Sequence, residues 1–153
     1  MPRRLDYHRI SPDLFKAYRN VEATVRASGL EHSLLHLVKL RASYLNHCAY
    51  CVDMHTKDAR AAGESEQRLY GVAVWRETPY FTPRERAALA WTDSVTRLGE
   101  HGVSDQEFRA VREQFSEQEL ASLTFAIVMI NGWNRLAVSL GAEVGSYEAR
   151  APA

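Results

Sequence analysis

The residues best equipped for chemistry lie in one short run, Asn46-His-Cys-Ala-Tyr-Cys-Val-Asp-Met-His55, which holds the only two cysteines of the chain. At about 100° per residue in a helix, Cys48, Cys51 and His55 fall within an arc of roughly 60°, so two thiols and an imidazole share one face. Asn46 is expected to cap that helix. Cys48 would then sit in its first turn, where unpaired backbone N–H groups and the positive end of the helix dipole favour a thiolate. His55, one turn beyond Cys51, can take that thiol's proton or, once protonated, stabilise its anion. A thiolate so placed can attack a peroxide O–O bond, become a sulfenic acid and be trapped by its neighbour as a disulfide.

The same residues allow other readings. Paired cysteines on a buried helix also serve as small apolar filler. Zinc held by Cys48, Cys51, His55 and either His47 or His36 is a further alternative, although structural CxxC zinc pairs usually come with a second matched pair and this chain has none. A thioredoxin-like fold would surround the motif with a βαβ pattern, and no stretch alternates apolar and polar residues long enough for a convincing strand. Two cysteines are also too few for a disulfide-stapled scaffold.

The elements that must position this run are helical. Alanine and leucine are abundant and isoleucine is scarce, which gives an all-α class of about seven helices with the CxxC at the N-terminus of one. Ser11-Pro12 reads as an N-cap and a first-turn proline for a helix over 13–27, closed by Gly29. Three capping-box patterns, Thr82 to Glu85, Ser104 to Glu107 and Ser116 to Glu119, should each open a helix. Gly99 and Gly141 are placed as left-handed C-caps that close helices over 83–98 and 117–140. Between them lie 33–45, expected to break at Asn46, then 48–62, ended by Gly63, and 65–76. In the fifth helix Ala87, Trp91, Val95 and Leu98 share a face, whereas 120–130 is apolar nearly all round and should be central or covered by another subunit.

The length of 153 residues, 46% hydrophobic and 25% charged, suits one domain over 1–153 with its core at about 12–141. Residues 148–153 are expected to fray. Nineteen basic residues balance nineteen acidic ones, so no bulk positive field exists to hold nucleic acid or an anionic membrane. The longest apolar run is about half the ~20 residues of a membrane span. The N-terminus has no apolar stretch of the secretory type, which makes a cytoplasmic address the expectation.

Of the remaining polar residues, Asn131, Trp133, Asn134 and Arg135 are read as a structural network or subunit contact within an apolar helix. Asp58 could orient the His55 ring or simply face solvent. His8, His32 and His101 receive no role.

The run Leu37-Val-Lys-Leu-Arg-Ala-Ser43, then Asn46, then Cys48-Ala-Tyr-Cys-Val-Asp-Met-His-Thr-Lys-Asp-Ala59 resembles the alkylhydroperoxidase D-like branch of the carboxymuconolactone decarboxylase superfamily. The likeness continues through Gly63-Glu-Ser-Glu-Gln-Arg-Leu69, Trp75-Arg-Glu77, Glu85-Arg-Ala-Ala-Leu-Ala-Trp91 and Ile130-Asn-Gly-Trp-Asn-Arg-Leu136. It implies an all-helical trimer or hexamer and a peroxidase site in which Cys51 attacks, Cys48 resolves and His55 relays protons. Helix position alone favours Cys48 as the more acidic thiol; the nearness of His55 and the resemblance favour Cys51. The implied reaction needs no cofactor or metal. It consumes hydrogen peroxide or a small organic hydroperoxide, and an external dithiol donor, lipoyl or thioredoxin-like, re-reduces the pair.

Two departures stand out. The resemblance places a relay glutamate where this chain has His36, which makes His36 a candidate catalytic residue and ties activity to pH between about 5.5 and 7.5. The usual Asn-Gly before the first cysteine is Asn46-His47 here, which removes the residue most tolerant of positive φ. Tyr50 stands where some of these peroxidases have histidine. Two other functions share the fold: a carboxymuconolactone decarboxylase-type lyase, which typically lacks the cysteine pair, and a non-catalytic oligomer whose cysteines sense oxidant.

Overall fold

The computed structural model describes residues 3–149, and the expected fraying of 148–153 falls largely outside them. The described residues form α1 (Tyr7–Ile10), α2 (Pro12–Arg26), α3 (His32–Leu45), α4 (Ala49–Ala61), α5 (Glu66–Gly71), a 3₁₀ segment (Val72–Glu77), α6 (Pro83–Thr96), α7 (Asp105–Arg112) and α8 (Glu117–Leu140), with no strand among them. The all-α expectation holds. The α-helix count among the described residues rises from seven to eight because one turn precedes Pro12; the 65–76 segment remains one α-helix that tightens into 3₁₀ geometry after Gly71, where Val74 leaves helical φ/ψ.

Local chemistry explains the boundaries. All three capping boxes form, each with the Ser or Thr side chain accepting from the N–H three residues on and the glutamate reaching back to the cap's own N–H. Gly141 closes α8 at φ 77°. Gly99 does not act as the expected C-cap: α6 ends at Thr96, Arg97 caps it, and the left-handed residue of this loop is Gly102. Leu98 therefore leaves the helical face it was assigned to and is exposed, while Ala87, Trp91 and Val95 pack inward. Ser11 makes no side-chain cap, since it also terminates α1.

Helix α3 is the centre of the molecule, packed on α4, α6 and α8. Leu34, Leu35 and Val38 join a core with Trp91, Leu123, Ile127 and Met129, and Leu37 and Leu40 join a second core with Leu69, Val72, Trp75 and Leu89. Burial on both sides explains why its apolar residues follow no single stripe. By length and composition α8 could cross a bilayer, yet Leu120, Leu123, Ala126, Ile127, Ile130, Asn134 and Ala137 form a buried stripe packed against α2, α3 and α6. Phe125 and Val128 lie outside that stripe and are exposed.

Two polar clusters pin these helices. Arg41 of α3 makes a two-pronged pair with Asp93 of α6, Nε to Oδ1 at 2.6 Å and Nη2 to Oδ2 at 3.1 Å, and spends its remaining nitrogen on the Ala73 carbonyl at 2.7 Å. Trp75 Nε1 and Arg76 donate to the same Asp93 carboxylate, and the guanidiniums hold that carboxyl below its ordinary pKa against the opposing effect of burial. The second cluster is amide-built. Asn46 Nδ2 donates to Asn131 Oδ1 at 2.8 Å and Asn134 Oδ1 at 2.9 Å, while Asn134 Nδ2 donates to Ser43 Oγ at 3.1 Å. Asn131 and Asn134 are thus the structural network expected of them, and they fix the turn between α3 and α4.

Candidate active site

The turn from α3 to α4 delivers the cysteines. Asn46 is not the cap of α4 but the residue that ends α3; Cys48 caps α4, its Sγ accepting from the Cys51 N–H at 3.3 Å. The cysteine sulfur thereby satisfies an end-of-helix donor that a Ser or Asp usually takes. Between them His47 sits at φ 53°, and it is the one non-glycine residue with positive φ among the described residues. The backbone still needs a left-handed residue at the position where the resembled family has glycine, and an exposed histidine supplies it at a conformational cost.

Cys48 and Cys51 are joined as a disulfide with Cα atoms 5.3 Å apart, and neither is more than 2% exposed. They pack with Ala137 of α8, and Tyr50 and Ala142 cover them. Tyr50 and Ala142 in turn line a cavity of about 590 Å³ bordered by α1, α2, α3, α4, α8 and residues of the segments 3–6 and 141–147. His36 and His55 line this same space. The fold therefore brings the four expected site residues to one region, with the imidazoles on the cavity wall and the sulfurs directly behind it. Among the described residues no group of three or more His, Cys, Asp or Glu side chains is arranged to hold a metal ion.

His55 is 6% exposed and its Nε2 has no hydrogen-bond partner. Burial first, then the positive charges near it at Lys39 and at His36, push its pKa well below the ordinary histidine value. It is a neutral base at pH 7. His36 moves the same way for the same reasons, burial and then Lys39, with Asp58 pulling partly back. Asp58 does not orient His55; its carboxylate accepts from the Tyr147 hydroxyl at 2.6 Å, which ties the C-terminal segment to α4.

Several cavity residues were not read from the sequence. Glu22 of α2 pairs with Lys39 and accepts from Trp133 Nε1 at 3.2 Å. His8 stacks against Phe15 with ring centroids 4.2 Å apart, and His32 also lines the space. No local signal marks them, because α1, α2 and the start of α3 meet α4 only through tertiary packing.

A sequence profile of the carboxymuconolactone decarboxylase family matches residues 12–94. The chain is 36% identical over 146 residues to the uncharacterized protein YdfG of Bacillus subtilis, covering 95% of this chain and 99% of that one. A crystal structure from Agrobacterium tumefaciens, of a protein of unknown function suggested to be the antioxidant defence protein AhpD, superposes with a TM-score of 0.92 at 46% identity, over 95% of this chain and all of that one. An uncharacterized peroxidase-related protein from Ralstonia eutropha with an AhpD core shares the fold at a TM-score of 0.80 and 24% identity, covering 91% of this chain and 74% of its own. The profile match across the cysteine helix, the near-complete overlap with these relatives and the all-helical frame around a close cysteine pair make this chain an AhpD-like member of the carboxymuconolactone decarboxylase family.

Proposed function

We propose that the protein is a thiol peroxidase that reduces hydroperoxides through Cys51 and Cys48. The observation that carries the reading is the buried Cys48–Cys51 disulfide at the start of α4, one turn from His55, a neutral imidazole that lines the cavity and whose buried Nε2 has no partner. The family likeness supports a peroxidase-related role.

In the reduced protein His55 accepts the Cys51 proton, and the thiolate attacks one oxygen of the hydroperoxide. The O–O bond breaks, the alkoxide leaves with the proton from His55 as an alcohol, and Cys51 becomes a sulfenic acid. Cys48 then attacks the Cys51 sulfur, expelling water and forming the disulfide. An external dithiol, lipoyl or thioredoxin-like, returns two electrons by attacking Cys51. Cys48 is suited to leave in that step, because its sulfur sits at the helix N-terminus where an N–H stabilises the anion. His36 shares the cavity and completes a relay to His55 through water. With both imidazoles shifted down, loss of base is expected on the acid side of the ordinary histidine pKa, lower than the window read from the sequence.

The reading includes self-association as a trimer or hexamer in the cytoplasm. Its motive changes with the structure: Trp75 and Trp91 are buried in one chain, and the surface left over is an apolar groove bordered by Phe108, Phe125 and Val128.

The test is peroxide consumption by the purified protein with dihydrolipoamide as donor. Wild type turns over, and Cys51→Ser loses activity to background. Equal consumption by the two would end the proposal.

A further inference from the structure

The cavity is far larger than hydrogen peroxide requires. At about 590 Å³ it falls in the range of sites for whole organic molecules. One wall is aromatic: Phe15 lies edge-on to Trp133 at 5.8 Å and to Tyr7 at 6.0 Å. Leu35, Met54, Ile130 and Leu140 supply aliphatic surface to the same space.

Its charges are not all consumed by one another. Arg3 pairs with Asp6, Lys39 with Glu22, and Asp58 takes the Tyr147 hydroxyl. Arg19 and Arg26 also line the cavity, and among the described residues neither has a carboxylate partner; Arg19 lies only over the Phe15 ring, at 5.8 Å. Glu143, exposed on the C-terminal segment, is the remaining acidic residue of the lining, and like the others it pairs with neither of them. Seven residues apart, Arg19 and Arg26 share a face of α2 at a separation of about 10 Å along the axis, so an anion beside that face is within reach of both. Elsewhere in the lining His55 stands beside His36 and Lys39, its buried Nε2 without a partner, and Tyr50 of the same lining covers the sulfurs.

We propose that this cavity selects organic hydroperoxides that carry a carboxylate. The carboxylate is held by Arg19 or Arg26 in two-pronged contact, the apolar body lies against Phe15, Trp133 and Ile130, and the O–O group lies at the part of the wall that His55 and Tyr50 form in front of the sulfurs. The claim rests on the thiol-peroxidase reading, and its chemistry is the step already given, with the alcohol of the same acid as product. Guanidiniums with no internal partner and the His55 stretch of the wall thus mark the two ends of one substrate.

Two measurements keep the site and the reaction apart. The first compares kcat/KM for linoleic acid hydroperoxide and its methyl ester, both below their aggregation limits, in wild type and in Arg19→Gln/Arg26→Gln. Wild type should prefer the acid by about tenfold or more, the scale of one charge-assisted contact. The double variant should bring the ratio near one, and Arg109→Gln on α7, away from the cavity, should keep the wild-type ratio. Equal rates on acid and ester in wild type, or a preference that survives in the double variant, would overturn the proposal. The second titrates the disulfide form with decanoate, which carries no peroxide, by calorimetry. Saturable binding lost in the double variant supports the site even where no hydroperoxide is turned over, in which case only the peroxidase reading fails; no binding in wild type overturns it.

Discussion

Arg41 on α3 and His55 on α4 are both more than nine-tenths buried, yet their surroundings differ in kind. Every face of the Arg41–Asp93 cluster is answered: two guanidinium–carboxylate bonds, two backbone carbonyls of the 3₁₀ segment, the Trp75 indole and Arg76. His55 has a bare Nε2, and burial keeps it neutral. Among the described residues only Ser28 and Thr56 share that condition of a buried side-chain polar atom without a partner. A polar group that a fold uses as a fastener is saturated by the fold, whereas one that must exchange protons with a visitor has to be left open. The saturated cluster therefore contributes stability, and in the proposed peroxidase reaction the open imidazole contributes chemistry.

The largest effect separates the two directly. Asp93→Asn leaves the Arg41 charge buried without its counter-ion and should lower unfolding free energy by about 3–5 kcal/mol. His55→Leu removes no hydrogen bond and should cost less than about 1 kcal/mol. Urea denaturation of the disulfide form measures both, and comparable losses would break the distinction.

A smaller effect sharpens it. The unfolded His55 titrates near the ordinary value of about 6.5, while the folded one titrates well below it, so in between the unfolded state binds more protons and stability falls as pH falls. Below pH 6.5, and for as long as the folded group stays neutral, the slope from this residue rises toward a ceiling of about 1.4 kcal/mol per pH unit. His36 contributes with the same sign, so the comparison to make is wild type minus His55→Leu. A difference that stays flat with pH would mean that His55 protonates in place.

The smallest effect concerns the turn that presents Cys48. His47→Gly relieves a left-handed strain of about 1–2 kcal/mol but adds freedom to the unfolded chain, for a net gain of about 0.5–1 kcal/mol. A loss of melting temperature on this substitution would show that the imidazole has a role beyond its backbone angle.

Much of this was legible before any coordinates. Thr82, Ser104 and Ser116 announced their helices because a capping box is a local bargain between residues three apart, and Cys48, Cys51 and His55 announced their face because helical spacing is local too. Asn131 and Asn134 could be read as a network, since amides in an apolar helix require partners. What escaped was non-local or competitive. Gly99 lost its capping role when Gly102 took the turn, and Asn46 lost the cap of α4 when Cys48 took that bond itself. Glu22, His8 and Arg41 carried no signal, because their meaning lies in residues far along the chain.

The most direct test of the open imidazole is the rate at which the dithiol-reduced protein reacts with one equivalent of cumene hydroperoxide, with the product read by mass spectrometry. Wild type should lose two hydrogens as Cys48 and Cys51 join. His55→Gln should slow that step by at least about 100-fold, the scale of a positioned general base. Equal rates in the two proteins, or an oxidised wild type that keeps both thiols, would contradict the account.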